Sequence, residues 1–137
     1  MTKALKTLIK LNKNKLDKIL KDIEFQENEK NRVVSKKSHI ENELRLEIDK
    51  YSNTEYSFML QKYIENSDKI IKGLNAQIQR LDEIIQKLRL SLRDQYSELK
   101  KFEIALEKKL QLEFEKEKKL ETKKLDEFSI NQYLNKK

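Results

Sequence analysis

The side chains that most often carry out catalysis are scarce in this sequence. It has one histidine, His39, no cysteine, and no glycine-rich loop of the kind that cradles phosphates. His39 stands beside lysines and a serine, and its expected role is that of a solvated helix residue. The carboxylates lie beside lysines at helical spacings, which is typical of ion pairs on a helix surface. We therefore expect a protein that is not an enzyme and that uses no metal, no cofactor and no small-molecule substrate.

The cluster with the clearest chemical signature is basic and lies at the start of the chain. Residues 1–21 hold seven lysines and one acidic residue, Asp17, so their net charge is 7 − 1, or +6. Such a cluster suits an acidic protein surface, a nucleic acid backbone or an anionic membrane. Nucleic acid is disfavoured, because the lysines alternate with apolar residues and no arginine or aromatic residue joins them. A solvated helix flank and an acidic protein partner both remain open. The lysines are Lys3, Lys6, Lys10, Lys13, Lys15, Lys18 and Lys21.

The composition indicates long helices and not a rounded core. Of 137 residues, 31 are basic and 24 acidic, which gives a net charge of +7, and 40% are charged against 36% apolar. Turns draw on glycine and proline, yet Gly73 is the only glycine and proline is absent. No apolar run approaches the roughly 18 residues of a membrane span, and lysines interrupt the apolar stretch that a signal peptide needs. We expect a cytoplasmic protein without a transmembrane segment.

The second half of the chain repeats apolar residues with the spacing of a coiled coil. One series recurs every seven residues, and a second lies three residues after it, with Gln95 as its polar exception. Mostly polar and charged residues fill the positions between. This pattern predicts a long helix that packs along a narrow apolar stripe. The two series are Ile71, Ile78, Ile85, Leu92, Leu99 and Leu106, and Leu74, Leu81, Leu88 and Phe102.

The first third carries a similar stripe, interrupted by polar residues at Asn12, Gln26, Lys30 and Lys37. Between the two stripes, residues 51–57 form the one cluster of small polar residues that favour caps and turns. The sequence therefore predicts a helix over about 3–50, a turn over about 51–56 and a helix over about 57–134. The fold class is all-α, a single antiparallel coiled-coil hairpin over residues 1–137. The alternative is one continuous helix that dimerises in parallel.

A turn centred near Asn53 sets the expected register of this hairpin. Residue i then faces roughly residue 106 − i, so Leu5 lies near Lys101, and the second helix has no partner within the chain beyond Phe102. The second helix is thus the longer one and overhangs at the C-terminus. A helix stripe that nothing in the chain covers is a candidate docking surface, or it pairs with another copy.

Three stretches, in their order along the chain, resemble one protein family. They are Ala4-Leu5-Lys6-Thr7-Leu8 near the N-terminus, Tyr63-Ile64-Glu65 after the turn, and Lys123-Lys124-Leu125-Asp126-Glu127-Phe128 near the C-terminus. Together with the length of the chain, they are similar to the flagellar export protein FliJ family. The resemblance covers essentially the whole chain.

The resemblance implies a fold and a set of partners. FliJ-like proteins are antiparallel two-helix coiled coils, similar to the gamma stalk of rotary ATP synthases. They sit in the central hole of the hexameric export ATPase of the flagellar type III secretion apparatus. They also contact the cytoplasmic domain of the membrane export gate and assist export chaperones. The implied location is the cytoplasm, peripheral to the inner-membrane export apparatus.

The resemblance also implies two surfaces that bind partners. The export-gate surface carries over to the start of the second helix, although Leu74 also belongs to the coiled-coil stripe and Ser67 is polar. The surface for the export ATPase would be the open end of the hairpin. The gate residues are Tyr63, Ser67, Ile70 and Leu74, and the ATPase residues are Lys3, Lys6, Lys10, Leu125, Asp126 and Phe128.

Two functions of other classes stay open on the sequence. One is a structural coiled-coil protein that self-associates through its overhanging helix. The other is a lysine-rich helix that binds an anionic membrane or nucleic acid. The injectisome has an equivalent stalk protein, and the sequence does not separate it sharply from the flagellar system.

Overall fold

Two long helices make up nearly all of the protein in a computed structural model that describes residues 2–135. Helix α1 spans Thr2–Tyr51 and helix α2 spans Ser57–Asn135, and that range contains no strand. The helices pack against each other along a seam, by which we mean the line of side chains that each helix turns toward the other. The predicted all-α fold, with two long packed helices, is confirmed. Neither helix has, among the described residues, a stretch apolar enough to cross a membrane.

The turn between the helices is built by Asn53 and Thr54. Asn53 has a φ of 69°, the left-handed conformation that commonly ends a helix and that asparagine tolerates better than most residues do. The hydroxyl of Thr54 donates to the carbonyl of Tyr51 over 2.6 Å and accepts from the backbone N–H of Tyr56 over 3.3 Å. One side chain therefore satisfies a carbonyl at the end of α1 and an N–H that precedes α2.

The helices divide into two compact units, each of which has its own part of the seam. The unit Asp17–Arg93 buries apolar side chains that include Ile23, Val33, Leu74 and Ile85. The α1 side of this seam is poor in apolar residues, since Gln26, Lys30 and Lys37 occupy seam positions and are only half-buried. Ion pairs flank this stretch, with Lys30 Nζ at 2.6 Å from Asp82 Oδ1 and Arg89 Nη2 at 2.9 Å from Glu27 Oε1.

The other unit joins the start of α1, up to Leu16, to α2 from Asp94 onward. Its seam buries Ile9, Leu16 and Leu99, together with the polar side chain of Asn12. The oxygen Oε1 of Gln95 is buried as well and has no hydrogen-bond partner among the described residues. At the edge of the seam, Thr2 Oγ1 donates a hydrogen bond to Glu113 Oε1 over 3.2 Å.

The register of the two helices differs from the one that the sequence predicted. The contacts Lys30–Asp82, Glu27–Arg89 and Thr2–Glu113 join residues whose numbers sum to 112, 116 and 115, not to 106. The reason lies at the turn, because the residues after Tyr51 are exposed up to Met59 and α2 enters the seam only at Leu60. The predicted proximity of Leu5 to Lys101 was therefore wrong by more than a helical turn.

The same contacts correct the extent of the overhang. Since Thr2 reaches Glu113, α1 accompanies α2 well past Phe102, where the sequence had placed the end of pairing. The residues of α2 from 114 to 135, which we call the C-terminal extension, follow that contact and are exposed throughout. The single domain expected over residues 1–137 stays a prediction.

Candidate partner-binding surfaces

The described residues offer surfaces for binding and no cluster of side chains suited to a metal ion. Among residues 2–135, no group of three or more histidines, cysteines or carboxylates lies close enough to hold one. His39 is exposed, and its Nε2 lies 3.0 Å from Glu43 Oε1, one turn further along α1. An arrangement of this kind is a surface pair on a helix and needs no catalytic explanation.

The structure divides the four residues that the family resemblance assigns to the export gate. Tyr63 and Ile70 are 39% and 50% exposed, whereas Ser67 and Leu74 are buried in the seam at 5% and 7%. The division follows from helical spacing, since Ser67 and Leu74 fall on the seven-residue repeat that faces α1. Only Tyr63 and Ile70 are available to a partner without separation of the helices.

Tyr63 and Ile70 belong to a longer exposed stripe that sequence reasoning did not identify. Met59 precedes Tyr63 by four residues, and Asn66 lies between Tyr63 and Ile70, so the steps are four, three and four. Met59 is 69% exposed. This spacing places all four side chains on one face of α2. The seam has the same spacing, so the stripe was visible in the sequence. It was missed because the seam beside it has more apolar residues.

The stripe begins at an apolar groove beside the turn. The groove has a volume of about 420 Å³ and is lined by Glu47, Tyr51, Tyr56, Met59, Leu60 and Tyr63. The rings of Tyr51 and Tyr56 meet edge to face with centroids 5.9 Å apart, which fixes its wall. Its volume and its aromatic lining fall within the range that is typical of binding clefts in proteins.

The basic residues predicted at the open end form one exposed strip on α1. Lys3, Lys6 and Lys10 are all exposed, and their spacing of three and four residues places them on one face of the helix. No carboxylate joins them within the first 16 residues, so their charges add. The strip is suited to an acidic surface.

The other three residues assigned to this end lie in the C-terminal extension. Leu125 and Phe128 are 65% and 60% exposed, and Asp126 is exposed between them. The structure does not bring them to the lysines, because Leu125 follows Glu113 by 12 residues, or about 18 Å along α2. A partner that uses both sets would therefore contact two separate patches.

Within the unit Asp17–Arg93, a polar groove crosses the helices. It has a volume of about 490 Å³ and includes both ends of the ion pairs Lys30–Asp82 and Arg89–Glu27. Each of these charges already has an opposite charge within 3 Å. On the outer face, the hydrogen bonds that the Arg32 guanidinium donates to the Glu29 carboxylate raise the pKa of Arg32, and the nearby negative charge adds to this effect. The groove's charges act between the helices and leave none to attract a partner.

One comparison with known proteins gives a match and two give none. The family model described as flagellar FliJ protein matches residues 1–137, the whole of the chain. No curated protein and no solved structure matches.

Proposed function

The chain belongs to the flagellar FliJ family, and on this basis we propose that it is a non-enzymatic stalk and adaptor of the flagellar type III export apparatus. Its proposed partners are the hexameric export ATPase, the cytoplasmic domain of the membrane export gate and the export chaperones. Its proposed location is the cytoplasm, at the inner-membrane export apparatus.

The observation that supports this proposal best is the exposed end of α2. The helix continues beyond Glu113, the residue that Thr2 contacts, to Asn135, and it carries exposed Leu125 and Phe128 there. Exposed apolar side chains on an extended helix are characteristic of a segment that docks into another protein. The lysine strip at the start of α1 adds a charged surface to the same compact unit.

We propose that the ATPase ring contacts both of these patches. Replacement of both Leu125 and Phe128 by serine is expected to weaken binding to the purified hexameric ATPase at least about tenfold, because buried apolar anchors supply most of the binding free energy. The double substitution K6E/K10E is expected to weaken it several-fold, with the largest effect at low salt.

The matched control for charge is K15E/K18E, which removes two lysines from another face of α1. It is expected to leave the affinity within about twofold. Equal losses of affinity from the two double substitutions would mean that only net charge matters. That result would contradict the proposed contact of the lysine strip with the ATPase. An unchanged affinity in the Leu125 and Phe128 variant would contradict the contribution of the extension.

For the export gate, we propose that Tyr63 and Ile70 make the contact, with Ser67 and Leu74 supporting them from the seam. The double substitution Y63A/I70A is expected to weaken binding to the purified cytoplasmic domain of the gate about tenfold or more. The control I84A/L90A truncates two exposed apolar residues elsewhere on α2. Circular dichroism checks that both variants keep their helices, and equal losses in both would refute this surface.

A further inference from the structure

The face of α2 that packs on α1 continues past the start of α1. Thr2, the first described residue, hydrogen-bonds to Glu113, and α2 then runs on to Asn135. On the C-terminal extension, Leu120, Ile130 and Leu134 are 57%, 59% and 61% exposed. The described part of α1 therefore leaves this stretch of the seam face uncovered.

The seven-residue repeat of the seam persists in the extension, with charged residues at some of its positions. The seam residues Leu99, Phe102, Leu106 and Lys109 are spaced by three and four residues and are at least half-buried. The same steps, continued through Glu113, lead to Lys116, Leu120, Lys123, Glu127, Ile130 and Leu134. From Lys116 to Leu134 the steps are four, three, four, three and four. The order of these steps is the same when read from either end, and the midpoint between Lys116 and Leu134 is Leu125.

We propose that this chain forms a weak two-fold dimer in which the C-terminal extensions of two copies pack antiparallel along this face. A spacing that is symmetric about Leu125 lets each residue k lie opposite residue 250 − k of the second copy. Leu120 then packs on Ile130, and the ammonium of Lys123 meets the carboxylate of Glu127. Two-fold symmetry repeats each contact, so the dimer has two apolar layers and two ion pairs at its centre.

The outermost layer of this pairing is compatible with the charges. Lys116 lies opposite Leu134, where its methylene stem covers the leucine and its ammonium reaches solvent. A parallel arrangement is unfavourable by comparison, since it places Lys123 against Lys123 and Glu127 against Glu127. The charges therefore favour a second, antiparallel copy over a parallel one.

The proposed pairing is compatible with the contact between Thr2 and Glu113. In the proposed register Asn135 lies opposite Glu115 of the second copy, two residues short of Glu113, to which Thr2 is hydrogen-bonded. The paired residues 116–134 of each copy thus lie beyond the Thr2–Glu113 contact of the other copy. The second copy covers the free seam face without displacing the contact that α1 already makes.

The proposed dimer leaves open a second apolar stripe of α2, which begins before the extension and continues along it. Leu110, Phe114, Leu125 and Phe128 are exposed and lie on another side of α2, because each residue turns the helix by about 100°. The dimer and the proposed contact of Leu125 and Phe128 with the export ATPase therefore use different residues, and the inference does not rest on the proposed function.

The test is sedimentation equilibrium of the full chain at concentrations up to about 1 mM, the range of a weak complex. The wild type is expected to show a monomer–dimer equilibrium. K123E and E127K, each alone, place like charges opposite each other at two points and are expected to weaken the dimer about tenfold or more. An equimolar mixture of the two variants restores both ion pairs in a heterodimer and is expected to recover the wild-type affinity.

Matched controls separate this contact from general effects of charge. K118E and E121K make the same changes on other faces of the extension, and neither they nor their mixture should alter dimerisation. A loss of helix within one chain is not repaired by mixing, so recovery in the mixture identifies a contact between copies. A mixture that dimerises much more strongly than the wild type would indicate a parallel pairing and overturn the proposal. A chain that remains monomeric at 1 mM would overturn it too.

Discussion

At the scale of single residues, Gln95 is a polar residue in the seam of α2. Its Oε1 is buried without a hydrogen bond among the described residues, and the neighbouring positions of the same seven-residue series hold Leu88 and Phe102. A buried polar atom without a partner costs about 1–3 kcal/mol. Gln95→Leu is therefore expected to raise the free energy of unfolding by about 1–2 kcal/mol.

Urea denaturation followed by circular dichroism measures this change. Gln79→Leu, at an exposed position of the same helix, is the control and should alter stability by less than about 0.5 kcal/mol. If Gln95→Leu lowers the stability, the amide must make a favourable interaction that the geometry does not show.

Gly73 gives a second prediction at this scale. It lies inside α2, is exposed, and a Cβ built on it would meet nothing within 4 Å. Glycine in a helix interior costs up to about 1 kcal/mol relative to alanine. Gly73→Ala is expected to stabilise the protein by about 0.5–1 kcal/mol, measured as a shift of the urea midpoint. Ala76→Gly, three residues further on, should have the opposite effect, and a loss of stability in Gly73→Ala would mean that the glycine serves another purpose.

At the scale of the helices, Val33 bears much of the packing of its part of α1. It is 1% exposed, while Gln26, Lys30 and Lys37 hold the neighbouring seam positions. Val33→Ala is expected to cost about 1–3 kcal/mol, because it removes methyl groups where few other apolar groups pack. Val34→Ala, at a side chain that is 39% exposed, is the matched control and should cost less than about 0.5 kcal/mol. Similar effects of the two substitutions would contradict this account.

The helices themselves were predictable from the sequence, and their register was not. The seven-residue repeat around Ile78 and Ile85 determines which face of α2 is buried, because only that face can leave water. The register depends on how far beyond Tyr51 the chain travels before it enters the seam. That distance is set by the φ of Asn53 and the bonds of Thr54, which many sequences could satisfy differently.

The candidate surfaces were predictable only in part for a related reason. Exposure of Lys3, Lys6 and Lys10 follows from the repeat. The gate residues were assigned from the family resemblance, which matches residue types and does not show the face of the helix on which each residue lies. The assignment therefore combined buried Ser67 and Leu74 with exposed Tyr63 and Ile70.

At the scale of the whole molecule, the net charge of +7 attracts anionic polymers and membranes whatever the specific partners of the protein are. If lysines alone drive binding, the protein should bind anionic vesicles or duplex DNA, and the affinity should fall steeply between about 50 and 200 mM salt through counterion release. For a protein with protein partners, we expect negligible binding to both at physiological salt. Fluorescence anisotropy with labelled DNA and vesicle co-sedimentation test this, and tight binding at 150 mM salt would favour the anion-binding function.

The turn at Asn53 has a consequence for the order in which the protein folds. The seam residues nearest to it, Tyr51 and Leu60, are nine positions apart, whereas Thr2 and Glu113 are separated by 111. The entropy lost when a loop closes grows with its length. The two helices should therefore begin to pair beside the turn, and pairing should proceed toward the termini. Each pair of seam residues that forms shortens the chain segment that must be closed for the next pair. Substitutions near Asn53 would then slow folding, and those near Thr2 would mainly speed unfolding.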